Sequence, residues 1–354
     1  MNMPGINIAF TEKATTAIQR GERGIIAMII KGTVPATNPL EILSAADIPS
    51  TFSTANKKQI ENALKGYINT PKKVIVYCLG SSAEDYSEAL DALELVKFNY
   101  LVAPNCETDE QTSTIASWIG AKRGDGKKIK TILPNSASDK EYIINYTTES
   151  VTDEDGTTYT AEQYCSRIAG IIAGTPLSIS CTYAPLAELT DCTRLKKAEM
   201  DAAVAAGKLF VFHDGEKVKL ARGITSLTTI TEEKKEQFQK IKIVDAMDMI
   251  TDDIRGTVED GYIGKYSNSY DNKCILISAI SNYFESLKKS GVVSSYNTEI
   301  DIAANKAWLD LHGYKTEEMN NDEIKRADTG DKVFLTASVK ILDAIEEVTL
   351  PISI

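Results

Sequence analysis

His213 and His312 are the only histidines in the 354 residues, and His213 is followed directly by Asp214. A histidine oriented by a carboxylate is the base that activates a serine or cysteine nucleophile, so this pair is where hydrolase chemistry would start. Residues 209–213 and 216–220, however, read as the two short strands of a hairpin on either side of Asp214-Gly215, a dipeptide that suits its turn. Turn chemistry alone accounts for Asp214. His312 precedes Gly313 where a helix should end, the usual place for a cationic residue ahead of a glycine cap. The six cysteines (Cys78, Cys106, Cys165, Cys181, Cys192 and Cys274) include no C-x-x-C spacing. They read as reduced, mostly buried thiols and not as a disulfide framework or zinc site. Gly124-Asp125-Gly126-Lys127-Lys128 lacks the spacing of a phosphate-binding loop. Asp153-Glu154-Asp155-Gly156 misplaces the acids of a calcium loop. Both read as exposed turns. Asp245, Asp248, Asp252 and Asp253 lie at helical spacings and read as a solvated helix face. No catalytic, cofactor-binding or metal site emerges, and an α/β hydrolase-like enzyme using His213 and Asp214 stands only as an alternative.

The elements that would position any site alternate along the chain. Residues 24–31, 73–79, 100–103 and 129–133 are apolar strand-like runs. Between them, residues 57–68, 83–96 and 112–121 carry apolar positions at helical spacing. Such alternation predicts an α/β layer with a largely parallel sheet. A strand at 142–146 and a helix at 161–174 follow, with Gly170 and Gly174 placed for close packing against a neighbouring element. From about residue 231 the character changes: long helices are expected at 234–254, 272–289 and 301–311, then a core strand at 333–342. The two ends are unusual. Ile6, Ile8 and Phe10 alternate with small or polar residues, as do Val348, Leu350, Ile352 and Ile354, and Pro351 confines the second run to an edge or added strand. A lone strand needs a sheet supplied from elsewhere. Residues 11–20 and 344–347 read as linkers to these arms.

Composition narrows the class further. The net charge is −11 with no basic tract, which argues against nucleic-acid binding. The longest apolar stretch, 24–30, is too short to span a bilayer, so no direct membrane insertion is expected. No signal peptide is visible at the N-terminus, and synthesis in the cytosol is expected.

Three segments together carry a resemblance: the run from Ile168 to Leu177 ending at Thr182-Tyr183; the hairpin from Gly207 to Val218 continued by Arg222-Gly223; and the stretch from Ile241 to Ile250 followed by Tyr262, Gly264, Lys265 and Asn268. With Pro4-Gly5-Ile6 and Arg23-Gly24-Ile25 ahead of them, the chain resembles the contractile tail sheath proteins of phages and phage-tail-like (R-type) bacteriocins. The resemblance implies an α/β (α+β overall) fold: a subtilisin-like α/β domain without its catalytic triad, plus a C-terminal α+β core domain facing a tail tube. Many members insert a β-sandwich after the strand ending at Gly80, whereas here Ser81-Ser82 starts a helix directly, which suggests a compact, minimal sheath.

The organisation that follows is an arm and linker at 1–20, an outer domain at 21–230, a core domain at 231–343 and a second arm at 344–354. The expected partners are further copies of the chain in a helical homopolymer, the tail tube protein, and baseplate and tail terminator proteins. Such a particle would be assembled in the bacterial cytoplasm and released on lysis. Lys325 and Arg326, in the polar stretch before the last core strand, are candidate tube contacts. A non-contractile shell or tube-forming protein is a further alternative.

Overall fold

The computed structural model describes residues 17–21 and 23–354, so the expected arm strand at Ile6, Ile8 and Phe10 lies outside the described residues. Contacts divide the chain into two compact units, one of residues 1–20 and 253–341, the other of residues 21–252 and 342–354. The division falls inside a helix, between Asp252 and Asp253, about twenty residues beyond the composition change at 231.

The larger unit is built on a seven-stranded sheet of β1 (Ile25–Gly32), β2 (Leu40–Ile42), β3 (Lys73–Gly80), β4 (Tyr100–Val102), β5 (Lys130–Pro134), β6 (Ile143–Tyr146) and a short β10 (Lys208–Leu209). Their order is β10-β6-β5-β4-β1-β3-β2, all parallel except β2, which runs antiparallel at the edge. Successive side chains point to opposite faces, so a sheet covered on both sides needs continuous apolar runs. Ile26, Met28 and Ile30 of β1 enter one core with Val74, Val76, Tyr100, Ile132 and Ile144. Ile25, Ala27 and Ile29 enter the other with Ile75, Leu101 and Leu133.

Helices α1 (Thr54–Leu64) and α4 (Ala161–Ala173) cover the first face, and α2 (Ser87–Glu94) and α3 (Thr112–Gly124) the second. Helix α4 is buried along nearly its whole length because it lies between the sheet and α1. Gly170 makes that layering possible. A Cβ there would sit 2.3 Å from the carbonyl oxygen of Ala63 in α1. Gly170→Ala is expected to cost about 3 kcal/mol, the overpacking outweighing the gain in helix propensity, and a lowered urea midpoint would show it.

A small sheet of β7 (Ser150–Asp153), β8 (Thr158–Thr160) and β9 (Leu189–Cys192), the helix α5 (Lys197–Ala205), and a hairpin of β11 (Val211–His213) and β12 (Val218–Leu220) complete this unit. Helix α6 (Ile241–Gly261) begins seven residues later than the sequence pattern suggests; a short 3-10 turn at Glu236–Gln239 takes the place of its first turn.

The smaller unit contains α7 (Tyr270–Lys289), β13 (Val293–Ile300), α8 (Ile302–Leu311), α9 (Asn321–Arg326) and β14 (Leu335–Ile341). Asp301 and Asn320 cap α8 and α9 by accepting backbone N–H bonds. Strands β13 and β14 pair antiparallel as a two-stranded sheet. The core strand expected at 333–342 is only partly inward: Leu335, Val339 and Ile341 are half-buried, while Ala337 and Val333 are exposed. It is a strand at the surface, not in the core. Among the described residues no helix is long and apolar enough to cross a membrane.

Candidate functional site

The hairpin places His213 and Asp214 as turn residues. The His213 Nδ1 accepts a bond from Gly215 N–H at 3.0 Å, and Asp214 accepts from the Glu216 and Lys217 amides at 2.9 Å. Lys219 pairs with Asp214 and, with those amides, holds its carboxyl well below the usual carboxylate range. Asp214 therefore braces the turn, not the imidazole. His312 is the C-cap of α8, followed by Gly313 at φ +83°. Among the described residues no cluster of His, Cys, Asp and Glu could hold a metal ion.

Parallel sheets offer a second place for chemistry, the crevice beyond the carboxyl ends of the strands where the strand order reverses. Here that is the end of β1 and β4, and the protein's own carboxylates fill it. Glu162, in the first turn of α4, accepts from the Glu107 and Thr108 amides at 3.0 Å and from the Thr108 hydroxyl at 2.5 Å. Asp109 takes Lys31 at 3.0 Å and the Tyr86 hydroxyl at 2.6 Å. The donors that would grip an anionic ligand are already engaged.

The aspartates of α6 are not a solvated face. Asp245 and Asp248 are 4% and 5% exposed. Asp245 accepts from the Tyr100 hydroxyl at 2.5 Å and from Arg23 at 2.8 Å, and lies 3.2 Å from the Lys130 ammonium. Asp248 accepts two bonds from Arg123 at 3.0 Å and one from Lys130 at 2.6 Å. The sheet and α3 thus hold the first half of α6 through a buried network of three cations and two carboxylates. Burial pushes the Tyr100 hydroxyl far up, with Asp245 adding to it, so the phenol stays a neutral donor. Burial also opposes charge on Asp248, but Lys130 and Arg123 outweigh it and hold the carboxyl below its ordinary 3.8. A carboxyl depressed in the folded state contributes stability that is present above the unfolded value and is lost as pH falls through the folded one. Urea midpoints taken from about pH 6 to about pH 3 should therefore fall more steeply for the native chain than for Asp248→Asn.

The terminal segments are fastened at their roots. Ile18 is buried, the Gln19 amide donates to Thr257 at 3.1 Å, and Arg20 donates to Ser290 at 2.9 Å. At the other end Lys242 binds the Leu342 carbonyl and Lys240 pairs with Asp343. The Glu346 carboxylate, 7% exposed, accepts from Thr182 at 2.6 Å, Ser180 at 3.2 Å and Arg222 at 3.1 Å. Residues 17–20 and 344–347 are therefore not the free linkers that their composition suggests. Beyond them Val348, Leu350 and Ile352 are 79%, 75% and 77% exposed, Ile354 is exposed, and residues 342–354 carry no regular secondary structure. Arg326 closes α9 with its guanidinium 4.3 Å above the Tyr270 ring, and Lys325 beside it is half-buried.

Spacing within α6 could not reveal the Asp245–Asp248 network, because the partners come from residues 23, 100, 123 and 130. Glu346 left no signal either; an acid between Ile345 and Glu347 looks like linker.

Switch-point donors taken up by the protein's own carboxylates and an exposed apolar C-terminal segment describe a building block, and the comparisons with known proteins place it. Residues 80–226 match the model of the phage tail sheath protein central domain, and residues 233–354 that of the phage tail sheath C-terminal domain. A tail sheath protein of Clostridium phage phiCD119 is 39% identical over 352 residues, covering 98% of this chain and 97% of that protein. The chain belongs to the phage tail sheath family. It is a structural subunit of a contractile sheath, a component of a virion or phage-tail-like particle, and not an enzyme. The fold is shared with the sheath tail protein from Desulfitobacterium hafniense (21% identity, TM-score 0.72, covering 84% of this chain and 93% of that one). It is shared too with a sheath subunit of an extracellular contractile injection system in its contracted state (12% identity, TM-score 0.70, covering 100% and 98%).

Proposed function

We propose that the chain polymerises helically around a tail tube in a metastable extended state and contracts to drive the tube through a target cell envelope, with its terminal arms as the joints. The observation that carries this reading is the two-stranded sheet β13–β14, in which neither strand has a second partner among the described residues. Open strand edges are templates for pairing, and natural proteins ordinarily cover them. Ile6, Ile8 and Phe10 at one end, and Val348, Leu350, Ile352 and Ile354 at the other, have the alternation that a added strand requires. Arms donated head to tail, with a rotation that does not close into a pair or ring, propagate as a helical filament.

The larger unit, a mostly parallel sheet between helix layers whose His213 is engaged in a hairpin turn, supports reading it as the triad-less counterpart of a subtilisin-like domain. In the smaller unit Lys325 and Arg326 are offered to the tube; the positive charge of the pair and the exposure of Arg326 at the end of α9 support this. If Lys325→Glu with Arg326→Glu left extended sheaths assembling normally on tubes, that contact would be wrong. Contraction without a nucleotide needs energy stored during assembly. Baseplate and terminator proteins would set the two ends of the polymer, and assembly would take place in the bacterial cytoplasm before lysis. Negative-stain electron microscopy of the chain co-expressed with its neighbouring tail genes tests the proposal. Hollow striated cylinders of two lengths are expected; discrete particles throughout would refute it.

A further inference from the structure

The root of the C-terminal arm sits in a cradle built from parts far apart in the chain. Thr182 donates to Glu346 while accepting from the Gly223 amide at 2.9 Å, so one hydroxyl joins the arm to the adjoining strand end. Ser180 and Thr182 are themselves 2.9 Å apart. This crowding requires glycine at 223, where a Cβ would lie 2.8 Å from the Cys181 sulfur and 3.2 Å from the Ser180 hydroxyl. Tyr183 next to them holds a left-handed backbone at φ +58°, a strained geometry for an aromatic residue. The turn it makes aims the hydroxyls of residues 180 and 182 at one point, and the Glu346 carboxylate occupies it. Arg222 serves two acids at once, with Nε on Glu346 and Nη2 on Glu347, each at 3.1 Å. Lys240 reaches Glu346 at 3.6 Å and also pairs with Asp343.

We infer that Ser180, Thr182, Arg222 and Lys240 form a carboxylate-binding cradle that clamps Glu346, so that a fixed root at 342–347 sets the direction in which the arm leaves its own subunit. The inference rests on the reading of residues 348–354 as an inter-subunit strand. A strand shared with a neighbour transmits force only as firmly as its near end is held, and backbone pairing at the tip does nothing for a slack root. The clamp passes that load to the α/β unit through side chains 7% to 34% exposed, and it restricts the orientations the tip must search before pairing. Glu346 is thus a positioning residue for assembly and not itself a contact with the neighbour.

Three full-length or near-full-length chains test this: Glu346→Ala, Glu346→Gln and a chain ending at Glu347. Proteinase K cleavage within residues 342–347 of the unassembled subunit, followed by mass spectrometry, reads the clamp. Cylinder formation with the tube protein reads its consequence. Glu346→Ala should be cut at least about tenfold faster than the native chain and give few, short cylinders despite its intact tip. Glu346→Gln, which keeps an acceptor for the two hydroxyls but not the charge, should lie between the two in both measurements. Unchanged cleavage in Glu346→Ala would overturn the clamp. Faster cleavage with native assembly would overturn its role, provided the chain ending at Glu347 fails to assemble. Normal assembly by that truncated chain would instead overturn the arm reading beneath the inference, while the cleavage rates still decided whether the clamp exists.

Discussion

Asp245→Ala should destabilise the subunit by about 3–5 kcal/mol, measured by urea unfolding of the unassembled chain. The carboxylate accepts from Arg23 and Tyr100 and pairs with the Lys130 ammonium at 3.2 Å. Removing it leaves Lys130, whose side chain is 3% exposed, with Asp248 alone, and leaves the buried Tyr100 hydroxyl without an acceptor. An uncompensated buried cation costs far more than the net gain from a well-made pair, because the desolvation penalty remains after the attraction is gone. Lys130→Met in the Asp245→Ala background should recover part of the loss, since it removes one of the stranded charges. Additive losses in that double variant would show that the residues do not act as a network.

Removing residues 348–354 should abolish cylinder formation while leaving the subunit folded. Those residues expose their apolar side chains and add little to the core, so the unfolding free energy from urea titration should change by less than about 0.5 kcal/mol. Their value lies between subunits, where each arm would bury Leu350 and Ile352 and supply main-chain bonds to an open edge. The C-terminal joint of every subunit is lost at once, so the effect on polymer is expected to be complete.

The outcome of reading the sequence divides along physical lines. The central strands were legible because both faces of a parallel sheet are buried, which makes runs such as Ile25–Gly32 and Lys73–Gly80 unambiguous. Gly170 was legible as a close-packing position, and α1 is what packs there. Strand β13 was not, because its interior is Ser, Tyr, Asn, Thr and Glu at a half-exposed surface. Helix α5 buries none of its residues and so carries no apolar stripe. Asp245 and Asp248 have the same spacing whether they face water or Lys130. Only tertiary proximity separates those cases, and here it reverses the solvated reading. Glu346 is the same kind of case at the end of the chain: its role depends on Thr182 and Arg222, more than a hundred residues away in sequence.

A helical reconstruction of the assembled cylinders by cryo-electron microscopy tests the central claim most directly. The account predicts density for residues 348–354 of one subunit running as an added strand along a free edge of β13–β14 in another, with Glu346 still seated at Arg222 of its own chain. Cylinders in which the arms hang free or fold back on their own subunit, with the β13–β14 edges unpaired, would contradict it.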